Sequence, residues 1–274
     1  MPYAVENHQE LGMTRMQWVL QVRGAASGQP TFVFFPHAGA TPFSIGRLPS
    51  VLPQSAGIVV IALPRGGDLD EGTPPRSVTD AARGVAEAIT ALHHTHATGM
   101  TRLVFVGNSY GALLAYETAR CLAHTTLPVE RLIVSGFRSP ALPMADSPLY
   151  RLPLSQLSAE LAARFGLAPD GGAMWAEGEV ALRADLCACD TYHHRHDQPL
   201  PVPIDVLHLT KDTSVSVDEL QAWRAVTQLP LRLMSCPAGH FPWAECPDVI
   251  ATALLQLAVA RQANLISSSN GNRF

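Results

Sequence analysis

The stretch Leu103-Val104-Phe105-Val106-Gly107-Asn108-Ser109-Tyr110-Gly111 carries a continuous apolar run into a serine with a glycine two residues away on each side. From Ala112 to Leu122 the pattern becomes helix-like. A serine at a sharp strand-to-helix turn projects its hydroxyl above the edge of a sheet, which is where a nucleophile belongs. Such a turn crowds its own backbone, and side chains two residues either way would collide with the serine loop. The pentapeptide alone is common in unrelated chains, so its weight comes from standing after a strand and before a helix.

Outward from this turn the chain alternates. Thr31 to Phe35 and Ile58 to Leu63 are continuous apolar runs of the kind found in strands covered on both faces. Trp18 to Arg23, Arg131 to Ser135, Val202 to Leu209 and Leu231 to Ser235 read as further strands, while residues 1–15 show no clear period. Val78, Ala82, Val85, Ile89 and Leu92 recur at helical spacing behind Ser77-x-x-Asp80, a capping box with a shortened acid. A second capping box, Ser216-x-x-Glu219, opens another helix, and the closing helix starts near Pro247, with the polar tail Ser267 to Phe274 expected to fray. No internal repeat is evident, so strands alternating with helices predict one mostly parallel α/β sheet. From about Ser139 to Leu200 the rhythm breaks. That segment is rich in Pro, Ala, Leu and Gly, with helix-like pieces at Ser155 to Phe165 and Met174 to Ala188 and no strand, and it reads as a helical insertion.

Composition bounds the rest. A chain of 274 residues can bury a large core, and 15% charged against 47% hydrophobic residues excludes a disordered one. Nineteen basic residues face 23 acidic ones, with no Lys/Arg block to cover a nucleic-acid backbone, so no nucleic-acid partner is expected. Five cysteines (Cys121, Cys187, Cys189, Cys236 and Cys246) are odd in number and lack a disulfide-framework spacing, which points to a reducing cytoplasm. The opening MPYAVENHQE lacks the features of a secretory signal. The longest apolar run, Val249 to Ala260, is far short of the roughly 20 residues that cross a bilayer, so no membrane association is expected. No metal site is expected either. His93-His94-Thr95-His96 sits at a helix end, where imidazoles meet the carbonyl dipoles, and Tyr192-His193-His194-Arg195-His196-Asp197 reads as an exposed polar connector. Cys187-x-Cys189 is too tightly spaced for a zinc knuckle or redox pair.

A serine hydroxyl needs a base to take its proton, and the base needs a third group to fix its tautomer. In an open parallel sheet, ligands bind at the carboxyl ends of the strands, so only residues just after a strand compete for these roles. Of the 11 histidines, His240 stands in a short glycine-containing loop after the last strand. His208 lies inside a strand, while His93, His94, His96 and His124 follow helices. His37 follows a strand but precedes the serine, against the order Ser, acid, His. Among the acids, Asp212 follows the strand Val202 to Leu209, whereas Asp205 sits near that strand's start and Asp218 has a capping reason to exist in a first helical turn. Ser109, Asp212 and His240 are therefore the expected catalytic residues. The small-residue loop Pro36-His37-Ala38-Gly39-Ala40 leaves N–H groups free to face a ligand, although from this loop alone a simple tight turn is the favoured reading.

The strand-loop Phe34-Phe35-Pro36-His37-Ala38-Gly39, the turn Gly107 to Ala112, the stretch Leu182-Arg183-Ala184-Asp185 before Tyr192, and Gly239-His240-Phe241 together resemble the type II thioesterases of nonribosomal-peptide and polyketide assembly lines, over about Thr31 to Ala260. The resemblance implies the α/β-hydrolase fold, a single domain over 1–274 with 139–200 as a helical lid. It implies an editing enzyme that hydrolyses stalled or wrong acyl groups from the phosphopantetheine of an acyl or peptidyl carrier protein, as a monomer and with no cofactor of its own. It further implies an oxyanion hole made by the backbone N–H groups of Ala38 and Tyr110. A small-ester or lipid carboxylesterase with the same triad, and an idle scaffold that binds carrier proteins, are the alternatives. The chain departs from the family pattern at Asn108 and Tyr110, where His and Met are usual, and at Ala40, Pro242-Trp243 and the loop Pro64-Arg65-Gly66-Gly67-Asp68. Tyr110, bulkier and hydroxylated, is expected to reshape the acyl pocket.

Overall fold

The computed structural model describes residues 14–16, 18–65, 74–95, 100–127, 129–143, 147–167 and 172–269. The expected loop residues 66–73, His96, the first thirteen residues and the last five lie outside the described residues. Among the described residues eight strands form one sheet in the order β1-β2-β4-β3-β5-β6-β7-β8: β1 (Thr14–Met16), β2 (Trp18–Arg23), β3 (Thr31–Phe35), β4 (Gly57–Ala62), β5 (Leu103–Asn108), β6 (Val129–Ser135), β7 (Ile204–Leu209) and β8 (Arg232–Cys236). The pairs β1/β2 and β2/β4 are antiparallel and all the others parallel. Three-residue β1, with no hydrophobic pattern of its own, is the strand that periodicity does not reveal.

The uninterrupted apolar runs follow from the two covered faces. Val33, Phe35, Val59, Ile61 and Phe105 point into one core with helices α2 (Val78–Thr95) and α3 (Tyr110–Leu122). Their neighbours Phe32, Phe34, Ile58, Val60 and Val104 point into the other, against α1 (Leu48–Val51), α7 (Pro242–Glu245) and α8 (Pro247–Ser269). A strand wet on one face would alternate apolar with polar residues, and these do not. Ser77 Oγ accepts from Asp80 N at 3.1 Å at the start of α2. The Ser216 box is complete ahead of α6 (Val217–Gln221). Of the tail expected to fray, Ser267 to Ser269 belong to α8 and residues 270–274 lie outside the described residues.

Between β6 and β7 the chain forms two longer helices, α4 (Leu154–Phe165) and α5 (Gly172–Asp190), and no strand among the described residues. Leu149, Leu157, Leu161, Leu182 and Leu186 give this segment a small apolar cluster of its own. In its closing stretch, expected as an exposed connector, His193, Arg195 and Asp197 are exposed, while Tyr192 and His196 are tied down. The Tyr192 hydroxyl donates to Glu117 Oε1 at 2.5 Å, and His196 Nε2 lies 2.9 Å from the same oxygen. Glu117, on α3, is only 3% exposed, so the connector supplies the partners that a buried carboxylate requires.

Both ends of β7 carry an aspartate. Asp205, at the amino end and 1% exposed, is clasped by Arg131 Nη1 and by Arg232, whose Nε lies 2.6 Å from Oδ1 and Nη2 3.0 Å from Oδ2. Asp212 follows the carboxyl end. Among the described residues, no helix is long and apolar enough to cross a membrane.

Candidate active site

Ser109 closes β5 with φ 55° and ψ −129°, a backbone conformation that L side chains rarely adopt, and α3 begins at the next residue. The turn is pinned by hydrogen bonds from Ser109 N to Ser135 O (2.9 Å) and from Ala112 N to Ser109 O (2.8 Å). Its glycines are required by contact. A Cβ on Gly107 would stand 2.4 Å from Gly111 O, and one on Gly111 would stand 1.9 Å from Phe35 O and 2.5 Å from Pro36 O.

The structure brings the three expected catalytic residues to one edge of the sheet. His240, in the loop after β8, has Nδ1 at 2.8 Å from Asp212 Oδ2, with both side chains 3% exposed. Burial works to raise the Asp212 carboxyl. Hydrogen bonding and charge from His240, with two hydrogen bonds from Ser214, overcome that effect and hold it below its ordinary value. An ionised carboxylate only accepts, so the ring proton sits on Nδ1 and Nε2 is left basic. His240 shares a cavity of about 430 Å³ with Ser109, Tyr110, His37, Ala38 and Phe165. The Phe165 ring, from α4, lies with its centroid 4.4 Å from that of His240.

Three supporting residues escaped the sequence reading. Ser214 donates to Asp212 Oδ1 through both its amide (2.9 Å) and its hydroxyl (2.6 Å). Asn108, 1% exposed, donates from Nδ2 to His240 O at 2.9 Å and accepts from Ser135 Oγ at 2.7 Å, so it ties the serine turn to the histidine loop. Glu245 accepts from the Gly239 and Phe241 amides on either side of His240. Asn108 was visible as a departure beside Ser109, but a neutral amide signals a site only when its partners are known.

The two expected oxyanion donors border the same cavity. Among the described residues, neither the Ala38 nor the Tyr110 N–H meets a backbone acceptor. The Tyr110 amide also opens α3, where orphan N–H groups and the helix dipole favour negative charge.

The second histidine in the cavity, His37, has a different environment. Burial pushes its imidazole down to about 4, and its Nδ1 lies 3.0 Å from Ala38 O, so that nitrogen carries the proton of a neutral ring. A histidine whose folded value lies below its unfolded 6.5 takes up protons more readily when unfolded, so its contribution to stability is present above pH 6.5 and lost as pH falls toward 4. Asp185, pushed up to about 6 by burial, acts in the opposite sense over an overlapping range. The expected result is therefore a difference: in urea melts at pH 4.5 and 7.5, His37→Gln loses less stability on acidification than the parent. Equal losses would place the His37 proton elsewhere.

Among the described residues no group of three or more His, Cys, Asp or Glu side chains could hold a metal ion, and Cys121, Cys187, Cys189, Cys236 and Cys246 are all free thiols.

The chain is similar to known proteins over most of its length. The family described as "Thioesterase domain" matches residues 30–256. The chain is similar to Thioesterase PikA5 of Streptomyces venezuelae, with 30% identity over 91% of this chain and 89% of that protein. Among solved structures it is similar to the RedJ thioesterase from the prodiginine biosynthetic pathway of Streptomyces coelicolor, with TM-score 0.73, 28% identity, and coverage of 85% of this chain and 89% of that one. The fold also matches that of BorB, the type II thioesterase from the borrelidin biosynthetic cluster, with TM-score 0.78, 24% identity, and coverage of 89% of this chain and 100% of that one.

Proposed function

Because the chain belongs to the thioesterase domain family, we propose that Ser109 hydrolyses acyl and aminoacyl thioesters presented on the phosphopantetheine arm of a carrier protein, clearing stalled or wrong groups from a nonribosomal-peptide or polyketide assembly line. The observation that carries this reading is that His240, hydrogen-bonded to Asp212, lines the same cavity as Ser109. Relatives that support it include the thioesterases of the borrelidin and prodiginine pathways.

The chemistry follows from the contacts. His240 Nε2 takes the Ser109 proton as Oγ attacks the thioester carbonyl, and Asp212 stabilises the imidazolium. The tetrahedral oxyanion takes hydrogen bonds from the Ala38 and Tyr110 amides. As the C–S bond breaks, the imidazolium proton passes to the departing thiolate and leaves an acyl-serine. His240 then deprotonates a water that attacks the ester, and its proton returns to Ser109 as the free acid departs. In this reading the substrate arrives with its own pantetheine arm, the chain needs no cofactor, and residues 139–200 act as a lid. Support for the lid comes from Phe165 lying against His240 and from the leucines of α4 and α5 that wall the cavity.

The test is a panel of acyl and aminoacyl groups loaded on one carrier protein, compared with the same acyl groups on free pantetheine and as p-nitrophenyl esters. Carrier-bound thioesters are expected to give the highest kcat/KM. Preference for the free esters would instead identify a small-ester or lipid carboxylesterase. Failure of Ser109 to react with a fluorophosphonate, together with retained carrier binding, would identify an idle scaffold.

A further inference from the structure

The Leu182-Arg183-Ala184-Asp185 stretch has no part in the triad, yet α5 brings it against the turn that carries Ala38. Within that turn five backbone groups of His37 to Ala40 are held by hydrogen bonds. Ala40 N donates to His37 O at 3.1 Å, closing the turn, and the His37 ring donates to Ala38 O at 3.0 Å. Gly39 N donates to Asp185 Oδ2 at 2.8 Å, and Gly39 O accepts from Arg65 Nη1 at 2.9 Å. Gly39 itself has φ +73°, and a Cβ there would stand 3.0 Å from Leu182, so α5 packs against the turn with no space for a side chain.

We infer that Asp185 is a positioning residue for the reaction: by holding the Gly39 N–H it fixes the Ala38–Gly39 peptide, and through it the direction of the Ala38 N–H that receives the oxyanion. The remaining half of the clamp, His37 on Ala38 O, acts on the same peptide unit from its carbonyl end. Both ends of that unit are then fixed, one of them by a side chain on the helical insertion. The oxyanion donor is in place when α5 is docked, and cavity covering and catalytic competence become one structural event. Burial pushes the Asp185 carboxyl up despite the Gly39 N–H and the nearby Arg65, which marks a group enclosed for this contact rather than solvated at the surface.

The inference rests on Ala38 serving as a donor in the hydrolysis proposed above, and its test separates the two. Parent, Asp185→Ala, Asp185→Leu and Asp185→Asn are compared in hydrolysis of one acyl-pantetheine thioester and in inhibition by an acyl trifluoromethyl ketone, whose tetrahedral adduct loads the same donors. Thermal midpoints and fluorophosphonate labelling are recorded for each. Alanine and leucine, which leave Gly39 without an acceptor, are expected to lower kcat about 10- to 100-fold with KM within about twofold, a fraction of what loss of a whole oxyanion donor costs. Ketone inhibition should weaken by a similar factor. Asparagine, whose amide oxygen still accepts from Gly39, should recover most of the rate. Parent-like kcat in either folded acceptor-free variant overturns the assignment, as does a loss in the asparagine variant equal to that in alanine. If the parent itself neither labels nor turns over, the proposed hydrolysis fails instead. Leucine fills the space of the carboxylate, so it supplies the comparison should alanine not fold.

Discussion

Ser109→Ala is expected to lower kcat for thioester hydrolysis by about 10⁴- to 10⁶-fold, because the three triad residues act as a unit and removing the nucleophile removes nearly all of their joint effect. Fluorophosphonate labelling should vanish with it. Stability should not follow. The strained φ of 55° belongs to the backbone and is imposed by the hydrogen bonds to Ser135 and Ala112, neither of which involves the hydroxyl. The urea midpoint should therefore correspond to a change within about 0.5 kcal/mol, the usual range for a substitution that removes no buried contact. Hydrolysis at the parent rate by the alanine variant would remove Ser109 from the mechanism.

The second large effect lies at the opposite edge of the sheet and has the opposite character. Asp205→Ala is expected to cost about 3–5 kcal/mol of stability, because it leaves the buried Arg131 guanidinium without its counter-charge. For a domain of this size that corresponds to a fall in Tm on the order of 10 °C. The Arg131 Nε already lacks a hydrogen-bond partner among the described residues, so the charge has little else to turn to. Turnover by the surviving folded fraction should stay within about twofold of the parent, since the carboxylate is a strand's length from the chemistry. Replacing Arg131, Asp205 and Arg232 together by methionine, leucine and methionine should recover much of the lost stability, as apolar replacement of buried ion clusters has done elsewhere. A thermal midpoint unchanged by Asp205→Ala would show that the cluster contributes nothing.

These two aspartates show what the sequence reveals and what it hides. Asp205 and Asp212 have the same side chain and flank the same strand, and position alone separated them. Ligands gather at the carboxyl ends of parallel strands, so Asp212, in the loop that follows Leu209, is the candidate. The same rule found His240 and set aside His208. The rule can be applied because strands covered on both faces, such as Thr31–Phe35, carry an unmistakable apolar run. Contacts that depend on distant partners left no such trace. Nothing local distinguishes Tyr192 to Asp197 from a solvated loop, because the buried Glu117 it serves lies about 75 residues earlier. Ser214, Asn108 and Glu245 are ordinary polar residues until the fold sets them beside the triad. Asp185 was seen only as part of a resemblance. Its role became readable once α5 was placed against the Gly39 turn.

The contact between Gly111 and the end of β3 has a bearing on how such a protein can change. With Phe35 O so close that a single methyl group cannot enter, the helix start that offers the Tyr110 amide and the strand end that leads to Ala38 are registered by backbone against backbone. Side chains lining the cavity take no part in that registration. Mutation can therefore recolour the pocket wall, where Tyr110 stands, while the spacing of the reacting groups is inherited intact. Evolutionary drift in what the enzyme accepts and constancy in what it does to it are compatible in this fold, because they are written in different atoms.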